Sequence, residues 1–101
     1  MNSRTTSGPS KVMRNIAFKP RIKRDMERMA RRGKNLEKLI AIGRLIAAGV
    51  ALPANAKPHK LSGEYANLWE CHIEPDWLLI YNVNNEEVLL ARTGSHADLF
   101  E

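Results

Sequence analysis

The chain has 101 residues, 16 Lys+Arg against 11 Asp+Glu, a net charge of +5 and one cysteine. That length makes one domain with one modest core, too short for a cofactor domain joined to a substrate domain or for a (β/α)8 barrel of about 250 residues. A single cysteine excludes an intrachain disulfide framework and a Cys-rich zinc module and fits a reducing cytoplasm, and no run approaches the roughly 18 apolar residues of a membrane span.

In chain order, Met1–Ser10 (MNSRTTSGPS) is rich in Ser, Thr, Gly and Pro and lacks the apolar centre of a secretory signal. Residues 1–12 therefore read as a disordered lead-in, with Met13 an alternative start, and residues 13–101 as the domain. Val12–Phe18 reads as a first strand. Pro20 suits the first turn of a helix running to about Arg32, with Ile22, Met26 and Met29 at helical spacing and Gly33 as the stop. Its other faces carry Arg21, Lys23, Arg24, Arg28, Arg31 and Arg32. Asn35 is an N-cap for a second helix in which Leu36, Leu39, Ile40, Gly43, Ile46, Ala47 and Val50 keep the apolar rhythm, ending near Gly49. Leu52–Pro58 is a loop. Tyr65–His72, Trp77–Val83 and Glu86–Thr93 read as strands separated by the turn signals Glu74-Pro75 and Asn84-Asn85, and Gly94–Glu101 as a tail over a sheet edge. The expected class is α+β, ordered β-α-α-β-β-β, with a twisted antiparallel sheet and a helical hairpin on one face.

The charge is uneven. Residues 1–35 carry eleven Lys/Arg against two acidic groups, and residues 36–101 five against nine. Clustered cations gain affinity for polyanions by displacing counterions; a solvated helix face with a basic tail gives the same composition.

If Asn84-Asn85 is a two-residue turn, Val83 pairs with Glu86, Leu79 with Leu90 and Trp77 with Arg92; the Glu74-Pro75 turn then sets His72 opposite Trp77. This register sends Trp69, Cys71, Leu78, Ile80, Leu89 and Ala91 to the helices. It leaves His72, Trp77 and Arg92 as one cross-strand row on the other face, beside Glu70. The row reads either as an exposed Trp–Arg cation–π contact, worth roughly 0.5–1 kcal/mol, or as a site.

All three histidines, His59, His72 and His96, fall where strand ends and loops could converge on that row, with Asp76 nearby. Two chemistries suit the set. RNA can be cut without a metal: a base takes the ribose 2′-OH proton, the oxygen attacks the adjacent phosphate, a cation stabilises the phosphorane and an acid protonates the departing 5′-oxygen. A free imidazole titrates near about 6.5 and can be either base or acid, Arg is a bidentate phosphate clamp, and Trp stacks a splayed base. The second chemistry is a divalent metal held by His59, His72, His96 and Asp76, although His72-x3-Asp76 is no established ligand spacing. Cys71 is a weaker nucleophile candidate, since this register turns it into the core.

The segments His59-Lys-Leu-Ser-Gly, Cys71-His-Ile-Glu-Pro-Asp-Trp-Leu-Leu-Ile-Tyr and Arg92-Thr-Gly-Ser-His-Ala-Asp-Leu-Phe100 closely resemble the YafQ branch of the RelE toxin superfamily. The resemblance runs in order over about residues 13–101. It implies a compact RelE-like, microbial-RNase-like fold and a bacterial, cytoplasmic toxin of a type II toxin–antitoxin system. Such toxins are ribosome-dependent mRNA interferases that cut message in the ribosomal A site. The implied partners are the 70S ribosome, mRNA and a cognate DinJ/RelB-like antitoxin, with no membrane, no metal and no small-molecule cofactor. The family's functional residues map onto His59, His72, Asp76, Trp77, Arg92, His96 and Phe100. On that basis His96 is expected to be the general acid and Arg92 to stabilise the scissile phosphate. His72, His59 and Asp76 would position or activate the 2′-OH, and Trp77 and Phe100 would hold the base and order the tail. Arg21, Arg24, Arg28 and Arg31 would grip ribosomal RNA. The rival expectation is a non-catalytic RNA- or ribosome-binding module, or an inactive member acting with an antitoxin in autoregulation.

Overall fold

Pro20, whose fixed φ and missing N–H suit a first turn, opens helix α1 (Pro20–Arg31). The computed structural model describes residues 13–101, so the expected lead-in over residues 1–12 lies outside the described residues. Helix α2 (Leu36–Ala48) begins where the Asn35 side chain accepts the Glu37 amide and ends at Gly49, whose left-handed φ of 73° closes the last turn. Ile22 and Met29 of α1, with Leu39, Ile46 and Ala47 of α2, bury the facing stripe. None of the helices among the described residues is long and apolar enough to cross a membrane.

Among the described residues the strands are β1 (Asn15–Phe18), β2 (His59–Lys60), β3 (Trp69–Glu74), β4 (Trp77–Val83) and β5 (Glu87–Gly94). They form one five-stranded sheet in the order β1-β5-β4-β3-β2. The α+β class and the hairpin are as expected, but the sheet is mixed: β1 runs parallel to β5. Hairpin neighbours must be antiparallel, whereas β1 and β5 are joined by nearly the whole chain, so their direction is free of that constraint. Not anticipated were the short edge strand β2, the 3-10 turns Ala54–Ala56 and Gly63–Tyr65, and a helix α3 (His96–Phe100) in place of an irregular tail; the strand expected over Tyr65–His72 begins only at Trp69.

The register also differs. The Asn84 side chain accepts the amides of Glu86 and Glu87, and the Asn84 amide donates to the Glu87 carbonyl, so residues 84–87 form the turn and Val83 pairs with Val88. Bulges at Ile73 and Ala91 then shift the pairing, so that His72 faces Leu78, Trp77 faces Glu74 and Arg92 faces Ile80. The expected row of His72, Trp77 and Arg92 does not exist. Trp69, Cys71, Trp77, Leu79 and Tyr81 point to the helices, while Leu78, Ile80 and Ala91 pack with Leu99, Leu61, Tyr65 and Leu68 on the far face.

Candidate functional site

Strand β1 ends at Phe18, so among the described residues β5 beyond Leu90 has no strand partner on that side. Asp25 of α1 fills the gap. Its Oδ2 accepts the Thr93 amide at 3.2 Å and Arg92 Nε at 2.7 Å, and its Oδ1 accepts Arg92 Nη2 at 3.2 Å. Arg92 Nη1 donates to the Tyr65 hydroxyl at 3.3 Å, and that hydroxyl donates to the Leu99 carbonyl at 3.1 Å. The hydrogen bonds to Asp25 raise the Arg92 pKa further, so this cation is permanent.

Arg92 opens onto a cleft of about 610 Å³ whose walls include Lys19, Arg21, Tyr65, Asp98 and Phe100. Phe100 is 38 % exposed. Its ring meets Tyr65 edge-on at 5.5 Å and carries the His96 ring at 4.9 Å. An unbroken chain of touching side chains thus runs from Asp25 through Arg92, Tyr65 and Phe100 to His96.

Helix α3 is held at both ends of its first turn. Ser95 and Asp98 form a reciprocal capping box, and Asp76 Oδ1 accepts the otherwise orphaned His96 amide at 3.0 Å. Asp76 is itself placed by the β3–β4 turn, which Lys34 and Lys38 of the helical hairpin secure through Glu74, each at 2.8 Å. His72 braces the same turn, its Nδ1 lying 3.2 Å from the Pro75 carbonyl. A carbonyl only accepts, so Nδ1 carries the proton and Nε2 is the basic nitrogen of the neutral ring.

Three expected members lie elsewhere: His72 lines a separate pocket with Asn55, Lys57, Ile73 and Pro75 and not the Arg92 cleft, and His59 and Trp77 stand apart as well. His59 shares a cross-strand row with Glu70, Ile80 and Arg92, but at the far edge, three strand spacings or about 14 Å from Arg92. Both its ring nitrogens meet acceptors, the Lys57 carbonyl at 3.0 Å and Glu70 at 3.2 Å. Trp77 is fully buried among the helices, and its Nε1 donates to Thr93 Oγ1 at 2.8 Å. The base-holding role expected of Trp77 is therefore corrected: its ring has no face open to a base, and removing so large a core side chain would cost about 3–5 kcal/mol of stability. Cys71 is buried as expected, and burial, aided by Glu70, pushes its thiol up to about 12. Among the described residues no three His, Cys, Asp or Glu side chains gather as a metal site.

The arginines divide into two groups. Arg21, Arg24, Arg28 and Arg31 follow one ridge of α1 at i, i+3, i+7, i+10 spacing. Arg21 reaches the cleft, whereas Arg28 lies 3.8 Å from both Asp25 and Asp98. Arg32 grips Asp98 with two hydrogen bonds of 2.7 and 3.0 Å.

Residues 14–101 match the family model described as the bacterial toxin of type II toxin–antitoxin systems, YafQ. The chain belongs to the YafQ toxin family. The mRNA interferase toxin YafQ of Escherichia coli K12 is 34 % identical over 90 residues, covering 88 % of this chain and 98 % of that protein. The toxin in the crystal structure of the E. coli DinJ–YafQ toxin–antitoxin complex superimposes with a TM-score of 0.79 at 33 % identity, covering 89 % of this chain and all of that one. A metal-bound toxin from Helicobacter pylori gives 0.80 at 30 % identity, covering 87 % and 100 %.

Within this YafQ-family frame the Arg92–His96 segment divides its labour residue by residue. Arg92 faces the cleft. The buried Thr93 hydroxyl joins the Trp77 indole to the Leu78 carbonyl. Gly94 lets α3 approach β5, since a Cβ there would stand 2.9 Å from the Cβ of Asp98. Ser95 caps the helix that presents His96.

Sequence reasoning did not single out Asp25, Tyr65, Lys19 or the Arg32–Asp98 clasp. Asp25 left a signal: it is the acidic residue on the buried stripe of the most basic helix, between Ile22 and Met29. The clasp makes a pH prediction. Chiefly through its hydrogen bond to Arg32, and also through Ser95, the Asp98 carboxyl is held well below the usual carboxylate range. A depressed folded-state pKa gives stability that is complete above the unfolded value of about 3.9 and is lost as pH falls through the folded one. The stability gap between wild type and Asp98→Asn should therefore narrow from about pH 5 to pH 2 in thermal melts. A gap that stays constant with pH would mean the clasp does not stabilise the fold.

Proposed function

We propose that this chain cleaves mRNA in the A site of the bacterial 70S ribosome, in the cytoplasm, by metal-free acid–base chemistry, and that a cognate DinJ-like antitoxin restrains it. The observation that carries this reading is a permanent, pre-oriented cation, Arg92, in an aromatic-walled cleft whose Phe100 wall also carries the exposed imidazole of His96. The curated YafQ relatives are mRNA interferases, and their solved complexes with DinJ supply the partner class.

The 2′-OH of the scissile nucleotide loses its proton to a base as its oxygen bonds to phosphorus. Arg92 stabilises the negative charge that builds on the non-bridging oxygens. The bond from phosphorus to the 5′-oxygen breaks as His96 protonates that oxygen, leaving a 2′,3′-cyclic phosphate and a 5′-hydroxyl. Of the three candidates for the base, His72 has its Nε2 and Asp76 its second carboxylate oxygen left over, whereas both nitrogens of His59 are engaged. Asp76 acts by placing His96. Phe100 with Tyr65, rather than Trp77, offers the face on which a base can stack. No step calls for a metal.

The test uses purified full-length chain and 70S ribosomes programmed with a defined message. Cleavage should leave 2′,3′-cyclic phosphate ends and should fail when the scissile nucleotide is 2′-deoxy. Cleavage of the 2′-deoxy message would overturn the mechanism, and binding without any cleavage would make the chain a non-catalytic module.

The ridge on α1 supplies the grip. Arg24 and Arg31 are exposed, whereas Arg28 faces Asp25 and Asp98. Arg24→Glu with Arg31→Glu should weaken ribosome binding and flatten its salt dependence, by roughly one unit of log–log slope for each phosphate that the variant fails to neutralise. An unchanged salt slope in a sedimentation assay would remove α1 from the interface.

A further inference from the structure

We propose that Asp25 and Tyr65 are positioning residues for Arg92, holding its guanidinium so that one parallel pair of N–H groups faces a phosphate in the cleft. This rests on the reading of the cleft as the cleavage site. It assigns work to two residues outside the motif segments that identify the family.

Asp25 is a carboxylate in an unfavourable place: it is 1 % exposed, and burying a carboxylate is costly unless it is paired and hydrogen-bonded. Its partners are the Thr93 amide and the Nε and Nη2 of Arg92, with Arg28 further off at 3.8 Å. The amide alone could have been satisfied by a neutral acceptor such as Asn or Ser; the second oxygen serves only cations.

Donor bookkeeping then fixes what Arg92 has left. A guanidinium carries five N–H groups. Asp25 takes the Nε–H and the neighbouring N–H of Nη2, which form the lateral pair. Tyr65 takes one N–H of Nη1, and because its own proton goes to the Leu99 carbonyl, its lone pair is turned towards Arg92. One N–H remains on each Nη; in the proposed arrangement Tyr65 takes the Nη1 hydrogen on the Cδ side, which leaves the end-on pair to match two oxygens of a phosphate. Arg92 is thus braced on two sides, by α1 and by the Gly63–Tyr65 turn, with its remaining donors set to bind.

The test compares messages carrying a normal or a phosphorothioate scissile linkage, the latter as separate diastereomers, in single-turnover cleavage on programmed 70S ribosomes. Wild type should cut one diastereomer markedly more slowly than the other, because sulfur is a poor acceptor for Arg92. Asp25→Asn and Tyr65→Phe should each slow cleavage of the normal linkage by about 10- to 100-fold. In both, the diastereomer penalty should shrink towards one, with ribosome affinity unchanged. Tyr65→Phe removes only a hydroxyl from a half-buried ring, so it decides the matter if Asp25→Asn does not fold. A general slowing with the full penalty retained would show a merely structural role and overturn the inference. Arg92→Lys separates the two levels: if it keeps the wild-type penalty, Arg92 does not touch the phosphate, and the reading of the cleft fails rather than the role of Asp25.

Discussion

His96→Gln should slow cleavage of ribosome-bound message by about 10²–10⁴-fold, the usual worth of a positioned acid. The fold should change by less than about 0.5 kcal/mol, as for an exposed position. Little in the structure depends on the imidazole: the ring is exposed against Phe100, and the hydrogen bond to Asp76 is made by the backbone amide, which glutamine retains. Glutamine preserves size and polarity and can still donate a hydrogen bond to a 5′-oxygen, but it cannot transfer the proton. The two properties are read separately, by single-turnover cleavage and by thermal melting. A wild-type rate from a folded His96→Gln protein would end the assignment of His96 as the acid. A parallel test of Asp76→Asn should show a smaller loss, because the amide oxygen can still accept the His96 N–H.

The helical hairpin and the sheet contrast in how far the sequence specifies them. Both helices declare themselves through a 3.6-residue apolar period with chemical stops: Pro20, Asn35 and Gly49 each do at the helix ends what their side chains or φ preferences favour. The sheet is harder to read because β4 is buried on both faces. Trp77, Leu79 and Tyr81 meet the helices, while Leu78 and Ile80 meet Leu99 and the Tyr65 segment. A strand buried on both sides is a continuous apolar run, so an apolar face cannot establish the register: either face qualifies. Small backbone events then decide the outcome, namely the Asn84 side chain lengthening its turn and the bulges at Ile73 and Ala91. His72 and Arg92 still lie on the face away from the helices, while Trp77 moves to the core.

The candidate site follows the same division. His96, Arg92, Asp76 and Phe100 are short-range neighbours of α3 or of the turn that anchors it, and their motif spacing marks them. Asp25 and Tyr65 reach Arg92 across 67 and 27 positions of sequence, so no local pattern pairs them. Their proximity is a product of the fold, set by where β1 stops and where the loop before β3 turns back.

That dependence makes Arg92→Ala the most consequential single change, with two separable effects. It removes the group that stabilises the phosphorane, a loss of about 10²–10³-fold in rate. It also leaves Asp25 buried with the Thr93 amide as its remaining close partner. Breaking a buried pair from one side costs about 3–5 kcal/mol, a large part of the roughly 5–15 kcal/mol that holds a small domain together. Inactivity of Arg92→Ala on its own would therefore not distinguish a missing catalyst from a melted fold. Arg92→Lys makes the distinction, because an ammonium near Asp25 restores the charge balance but offers no planar pair of donors for phosphate. Melting should return most of the way to wild type in Arg92→Lys, while single-turnover cleavage stays at least about tenfold down. If rate and stability instead recover together, Arg92 serves the fold through Asp25, and the charge on the scissile phosphate must be met by Lys19 and Arg21 in the same cleft.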